Sequence, residues 1–418
     1  ALASAPLSTG NLTLDNGELD ITVTGAAGSA ATVANNVTLG SDGGTIGIGG
    51  GGGANSVNFT GTISGSGNLT KTAAAIMQLS GANTFLGTTT ISAGTISVAG
   101  DGNLGSGSLN LVNGNLSVTG SGIIDTRHHV THGTIDNANG VTLEGVISGT
   151  SGTLTKTGAG TLTLTAGNSA TNWLLDVAAG TVSISASSHI GTGDIHLDGG
   201  TLAMTSDMTL ANNIVLGAAG IISSAGTNSH LSGTISGTGS LTKQGSATLF
   251  IEGNNTYTGT TSITAGTVLV DGALAGTSAV TVASGATLGG TGSIFASSST
   301  NTATVQNGGI LSPGSSGAGV FTVNGNLAMA GGSNLNIDIT GNTAGTQYDQ
   351  VIVNGTVDVS GANLSAAHSY TPGSLDNYTI ISNDAADAVT GTFAGLAEGG
   401  TITAGGNGTV LTASYAGG

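Results

Sequence analysis

Leu154-Thr155-Lys156-Thr157-Gly158-Ala159-Gly160-Thr161-Leu162-Thr163-Leu164 holds the strongest structural signal in this chain. From Thr161 to Thr165 apolar residues alternate with threonine, a period of two that marks a strand with one buried face. Its opening phrase recurs as Leu69-Thr70-Lys71 and Leu241-Thr242-Lys243. These phrases contain every lysine of the chain, so an internal repeat of about 86 residues returns to one structural position.

Other phrases keep the same spacing. Gly61-Thr62-Ile63-Ser64-Gly65, Gly145-Val146-Ile147-Ser148-Gly149 and Gly233-Thr234-Ile235-Ser236-Gly237 precede the lysines. Ala93-Gly94-Thr95-Ile96, Ala179-Gly180-Thr181-Val182 and Ala265-Gly266-Thr267-Val268 follow them. Between lies an aromatic slot, Phe85, Trp173 and Tyr257, whose rings are expected to fill one corner of the repeat, with sugar stacking as the alternative. The N-terminal Ala34-Asn35-Asn36-Val37-Thr38-Leu39-Gly40 mirrors Ala211-Asn212-Asn213-Ile214-Val215-Leu216-Gly217, and the glycine run 49–53 reads as a flexible surface insertion.

Composition narrows the class. Glycine makes up 77 of 418 residues, yet only 3 prolines and no Gly-X-Y period occur, which excludes collagen and proline-rich disorder. With 6% charged and 38% hydrophobic residues the chain is expected to fold. Cysteine is absent, so stability must come from hydrogen-bond ladders and apolar stacking. A net charge of −17 opposes nucleic acid and anionic lipid. No apolar run reaches the roughly 20 residues that span a bilayer. Ala1-Leu2-Ala3-Ser4 reads as a mature terminus after processing.

Short strands, Gly-Asn and Ser-Gly turns and a long repeat predict an all-β fold: a parallel β-helix, or β-solenoid, whose coils stack about 4.8 Å apart. One repeat should hold about four coils of roughly 20–22 residues. Lys71, Lys156 and Lys243 are then expected on one face about 19 Å apart, pairing with carboxylates or with backbone carbonyls at a turn. The expected division is an N-terminal cap with first coils at 1–58, a three-repeat solenoid at 59–300 and a β-rich closing module at 301–418, where the repeat phrases stop. Such a module would block edge pairing.

The run from Leu143 through Leu164, with Gly253-Asn254-Asn255-Thr256-Tyr257-Thr258-Gly259 and Ala265-Gly266-Thr267-Val268, resembles the autotransporter-associated β-strand repeat of bacterial passenger domains. Three copies cover about 59–290, and Ile310 to Ala397 resembles the C-terminal capping module that follows such arrays. The resemblance implies a right-handed β-helix, secreted or at the cell surface, and transfers no catalytic residue. No linker helix or membrane β-barrel precedes the final Ala416-Gly417-Gly418, from which a removed barrel or another export route is expected.

Two constellations are candidates for chemistry. Asp194, His196 and Asp198 alternate with Ile195 and Leu197, so they share one strand face, either a solvated face or a metal or acid/base site. Arg127, His128, His129 and His132 form the one basic cluster, in which His128 and His132 would share a face without an evident third ligand. Asp101-Gly102-Asn103 offers at most weak calcium binding. The expectation is no catalytic, cofactor or metal residue and no cofactor.

The leading functional expectation is an exported structural subunit of a cell-surface fibre, sheath or layer, not an enzyme, that self-associates without membrane insertion. In it the ends Ala1–Ser4 and Ala416–Gly418 would be held by neighbouring copies through strand addition. The alternative is an adhesin passenger that binds a glycan or host surface through loops or the aromatic slot. A polysaccharide-degrading β-helix enzyme ranks last, because it needs paired carboxylates and these acids are scattered.

Overall fold

The computed structural model describes residues 10–50, 54–125, 128–149, 151–168, 172–297, 299–373, 376–384, 387–406 and 408–415, with backbone alone at 128–131. Contacts divide the chain into two units, Ala1–His196 with Gly200–Leu202, and Leu197–Gly199 with Ala203–Gly418. Both consist of short parallel strands stacked into β-solenoid coils, and no α-helix occurs among the described residues.

In the first unit Gly44–Gly49, Leu69–Thr72, Thr89–Ile91 and Leu109–Val118 pair in parallel, one strand per coil. A second side stacks Ala30–Val33, Ser56–Phe59, Ile76–Leu79 and Thr95–Val98 onto the latter half of Leu109–Val118. The third side carries Gly122–Ile124, Val141–Leu143, Thr161–Leu164 and Thr181–Ile184. Leu109–Val118 and His128–Asn137 run straight through what is a corner in earlier coils, with register shifts from Leu111 to Gly114.

Alternation produces the core. In Thr161–Leu164 and Thr181–Ile184 the even positions are buried and the threonines and serine face outward. Register then aligns Leu162 with Val182 and Leu164 with Ile184, so each coil continues an apolar column. Burying one such side chain contributes about 1.5–3 kcal/mol.

The coil length explains where the lysines lie. Lys71 pairs with Ile91 and Ile91 with Leu111, so one coil here takes about 20 residues. Lys156 pairs instead with Ile135, whose column runs back through Leu116 and Ile96 to Met77. Four such coils fall short of the step from Lys71 to Lys156 by about one side of the coil. The two lysines therefore occupy different columns, not the common face expected from their phrase, and both point into the core.

In the second unit one ladder runs from Gly220–Ser224 through Leu241–Gln244, Thr261–Ile263, Val280–Val282 and Thr302–Val305 to Asn326–Met329. Another runs from Met208–Leu210 to Asn363–His368. The parallel stacking thus carries on past residue 301, where coils lengthen: one coil separates Leu249 from Val268, and one coil also covers the longer step from Leu335 to Leu364. A β-rich end follows, in which Thr401–Thr403 pairs antiparallel with Val410–Thr412.

Candidate functional site: lysine-closed corners and exposed loops

Each repeated lysine closes a corner from inside. Lys71 Nζ donates to the carbonyls of Thr72 and Ala73, both at 2.6 Å, and to Ala93 of the next coil at 3.3 Å. Lys156 donates to Thr157, to Gly158 at 2.7 Å and to Ala179 at 3.3 Å. Lys243 donates to Gln244 and Gly245 at 2.9 Å, Ala247 at 3.0 Å and Ala265 at 3.3 Å. The acceptors are carbonyls at the turns, which the ammonium satisfies from inside; the Ala247 carbonyl accepts the Thr267 N–H as well, at 3.4 Å. All three lysines are fully buried, and burial pulls the pKa of each ammonium down to about 8, with the Asp136 carboxylate opposing this at Lys156.

Backbone conformation fixes the local sequence. Two residues after each lysine stand Ala73, Gly158 and Gly245 with φ of 60°, 74° and 79°. Glycine enters this left-handed region without strain, whereas Ala73 does so at a cost. On the following coil a Cβ at Gly180 would lie 2.4 Å from the Gly158 carbonyl and 2.9 Å from Lys156 Nζ, so the Ala-Gly-Thr phrase needs its glycine.

Buried asparagines pin the neighbouring side. The N–H groups of Ile63, Ile147 and Ile235 donate to Oδ1 of Asn83, Asn168 and Asn255 at 2.8, 2.8 and 2.7 Å. Nδ2 of each then donates onward, to the carbonyls of Asn103, His189 and Ala273. Each asparagine thereby ties three successive coils. Sequence reasoning missed these residues. Their signal was the asparagine two residues before the ring in Asn83-Thr84-Phe85 and Asn255-Thr256-Tyr257.

Phe85, Trp173 and Tyr257 are fully buried, which rules out sugar stacking on the aromatic slot and leaves corner filling. Tyr257 Oη bonds Thr261 Oγ1 at 2.5 Å, four residues on. Register places Leu175 where that threonine stands, since Leu175 pairs with Leu154 as Thr261 pairs with Leu241, and the Trp173 indole Nε1–H is buried without a partner among the described residues.

The candidate chemical residues do not assemble into a centre. Asp194 and Asp198 are exposed and His196 is half-buried, while Ile195 and Leu197 are buried as their alternation requires. Arg127 and the side chains of His128 and His129 lie outside the described residues; His132 is exposed, and the register irregularity beside it breaks the alternation that would have joined it to His128. Asp101 lies beside Asp125, whose backbone N–H donates to Asp101 Oδ1 at 3.3 Å; burial and then the Asp125 carboxylate push the pKa of Asp101 above its ordinary value. Among the described residues no three His, Cys, Asp or Glu side chains group as metal ligands. Of the glycine insertion, 51–53 lie outside the described residues, as do the termini 1–9 and 416–418.

Two further clusters were not anticipated. His230 stacks on Phe250 at 4.3 Å and bonds Glu252 at 2.7 Å on an outward sheet face. In the longer coils Tyr348, His368, Tyr370 and Tyr378 gather around Asp376, with ring centroids 4.8–6.5 Å apart. Their partners are brought together by coil register, which no local phrase announces.

The passenger-associated transport repeat matches residues 69–98, 154–184 and 241–270. Each match opens on the leucine of a lysine phrase and closes with the strand beyond its Ala-Gly-Thr turn, so it encloses one lysine corner, one asparagine and one buried ring. The adhesin BmaC autotransporter of Brucella suis biovar 1 (strain 1330) is 39% identical over 128 residues, 30% of this chain. That stretch spans 4% of the adhesin's length. The chain thus carries the passenger-associated transport repeat three times, each copy built around a carbonyl-caged lysine, and that repeat marks it as secreted or held at the cell surface.

Proposed function

We propose that this chain is a non-catalytic passenger segment of an adhesin-type protein: a β-solenoid scaffold that holds surface loops out for contact with another surface. The observation that carries this reading is the inward direction of the repeat's chemistry. Lysine, asparagine and aromatic ring all serve the coil, while the strands turn threonine and serine outward. Residues 59–300 then act as repeat scaffold, 1–58 as the first coils and 301–418, with longer coils, as the part that presents loops. The likeness to a protein named as an adhesin supports the same reading.

Beads coated with the purified chain, incubated with cultured mammalian cells and with extracellular-matrix proteins, test it. Saturable attachment, lost when the chain is heat-unfolded before coating, is the expected result. Absence of attachment, with electron micrographs showing the chain polymerised end to end, would replace the adhesin reading with the fibre.

A further inference from the structure

The loops 340–349 and, on the next coil, 369–373 with 376–379 extend from the second unit where single coils cover the long steps from Leu335 to Leu364 and from Val351 to Ile381. Three of the chain's five tyrosines lie on or beside them. Tyr348 packs edge-on against Tyr378 at 5.5 Å and 80°, Tyr370 stands at 88° to Tyr378, and the buried His368 ring covers one face of Tyr370 at 4.8 Å, so Tyr370 and Tyr378 are half-buried and keep only their remaining surface outward. Their hydroxyls bond each other, and Tyr370 Oη donates to Asp376 Oδ2 at 2.8 Å. The Gly373 N–H donates to the same oxygen at 2.8 Å. Asp376 Oδ1 accepts the longer Asn342 contact, at 3.5 Å. The Tyr370 bond, followed by the Gly373 amide, holds the pKa of Asp376 below the usual carboxylate range.

Building on the adhesin reading, we propose that this tyrosine–aspartate corner binds a lysine or arginine side chain of a partner protein. A cation set against tyrosine faces gains from the ring quadrupole, and an adjacent carboxylate supplies a charge-assisted hydrogen bond. Charge selects the class. The second unit has 11 acidic side chains against one lysine, Lys243, which is buried in its own corner. With His368 neutral, the net field there repels an anionic partner and steers a cationic one inward. Tyrosine on a loop held by a rigid scaffold also gives contact area at low entropic cost.

Fluorine NMR of the chain labelled with 3-fluorotyrosine tests this, with Nα-acetyl-lysine methylamide, Nα-acetyl-arginine methylamide and cellobiose as probes. The Tyr370 and Tyr378 signals should move saturably with the cationic probes, less at high salt, and not with cellobiose. Asp376→Asn should weaken binding about tenfold, the size of one charge-assisted hydrogen bond. If Asp376→Asn displaces the loops, seen as a shift of the Tyr348 signal, Asp376→Glu becomes the test and should bind within about threefold of wild type, because it keeps the charge. A response to cellobiose alone, no response to any probe, or full binding by Asp376→Asn overturns the proposal. Attachment of coated beads that is indifferent to Asp376→Asn overturns this corner and spares the adhesin reading; cation binding by a chain that attaches to nothing does the reverse.

Discussion

Replacing Lys243 with methionine is the sharpest test of the caged-lysine corner. Methionine matches the lysine stem as far as Cε and lacks only the terminal ammonium, so most of the packing survives while the charge goes. Three of its bonds are 2.9–3.0 Å long and a fourth, to the next coil, is 3.3 Å. Each carbonyl left buried without a donor costs about 1–3 kcal/mol, and about three are stranded. Against this stands the relief of removing a buried charge, several kcal/mol in a real interior. The balance is a net loss of about 2–4 kcal/mol, or about 5–15 °C in melting midpoint for a cooperative unit of this size. Hydrogen exchange should accelerate first at Gln244 to Ala247, since coils of a solenoid open locally. The pH dependence separates cage from charge. With the folded lysine at about 8 and the unfolded one near 10.5, the unfolded chain binds more protons between those values. Wild-type stability therefore rises with pH across that window and falls as pH drops through 8, because a neutral amine still donates to two carbonyls. The Met variant lacks the Lys243 share of that rise, so the gap between the proteins should widen from pH 7 to 10. A Met variant as stable as wild type at both pH values would refute the reasoning.

Three further outcomes follow from single positions. Ala73→Gly removes a left-handed alanine where the other repeats have glycine, and should raise stability by about 0.5–1 kcal/mol in a denaturant titration, after the entropic cost of glycine; a loss would show that Ala73 is not strained. Tyr257→Phe removes the hydroxyl that bonds Thr261 inside the coil and should cost about 1 kcal/mol in the same titration; unchanged stability counts against it. Asp349 accepts the Gly319 and Asp338 N–H groups at 2.8 Å, and burial pushes the pKa of its carboxyl up to about 6. Its raised folded value means this stabilisation is complete below about pH 4 and is lost as pH rises through 6, so Asp349→Asn should flatten the stability profile between those values; an unchanged slope would move the effect to another carboxylate.

The fold was legible in Thr161-Leu162-Thr163-Leu164 because strand alternation is a local property, and the structure buries Leu162 and Leu164 as that pattern requires. Asn83, Asn168 and Asn255 were not legible as pins, because polar residues in a glycine-rich stretch read equally well as turns. The Tyr370, Asp376 and Tyr378 corner was hidden for another reason. Its neighbours Asn342 and Tyr348 arrive from the preceding coil, and only the register between coils brings them close.

That register also gives the repeat length a physical meaning. A repeat equal to a whole number of coils would stack every caged lysine in one column, placing successive buried ammonium groups along a single line of low dielectric. The step from Lys71 to Lys156 instead exceeds four coils, so Lys156 falls one side round, in the column of Ile135, Leu116 and Ile96. Each buried charge is then followed along its column by aliphatic side chains, and like-charge repulsion between lysines falls with the added separation. Within the first unit the same rotation sets the Lys71 and Lys156 corners on different sides of the coil. A sequence period that does not divide evenly into the coil thus spreads these two buried charges round the first unit instead of lining them up.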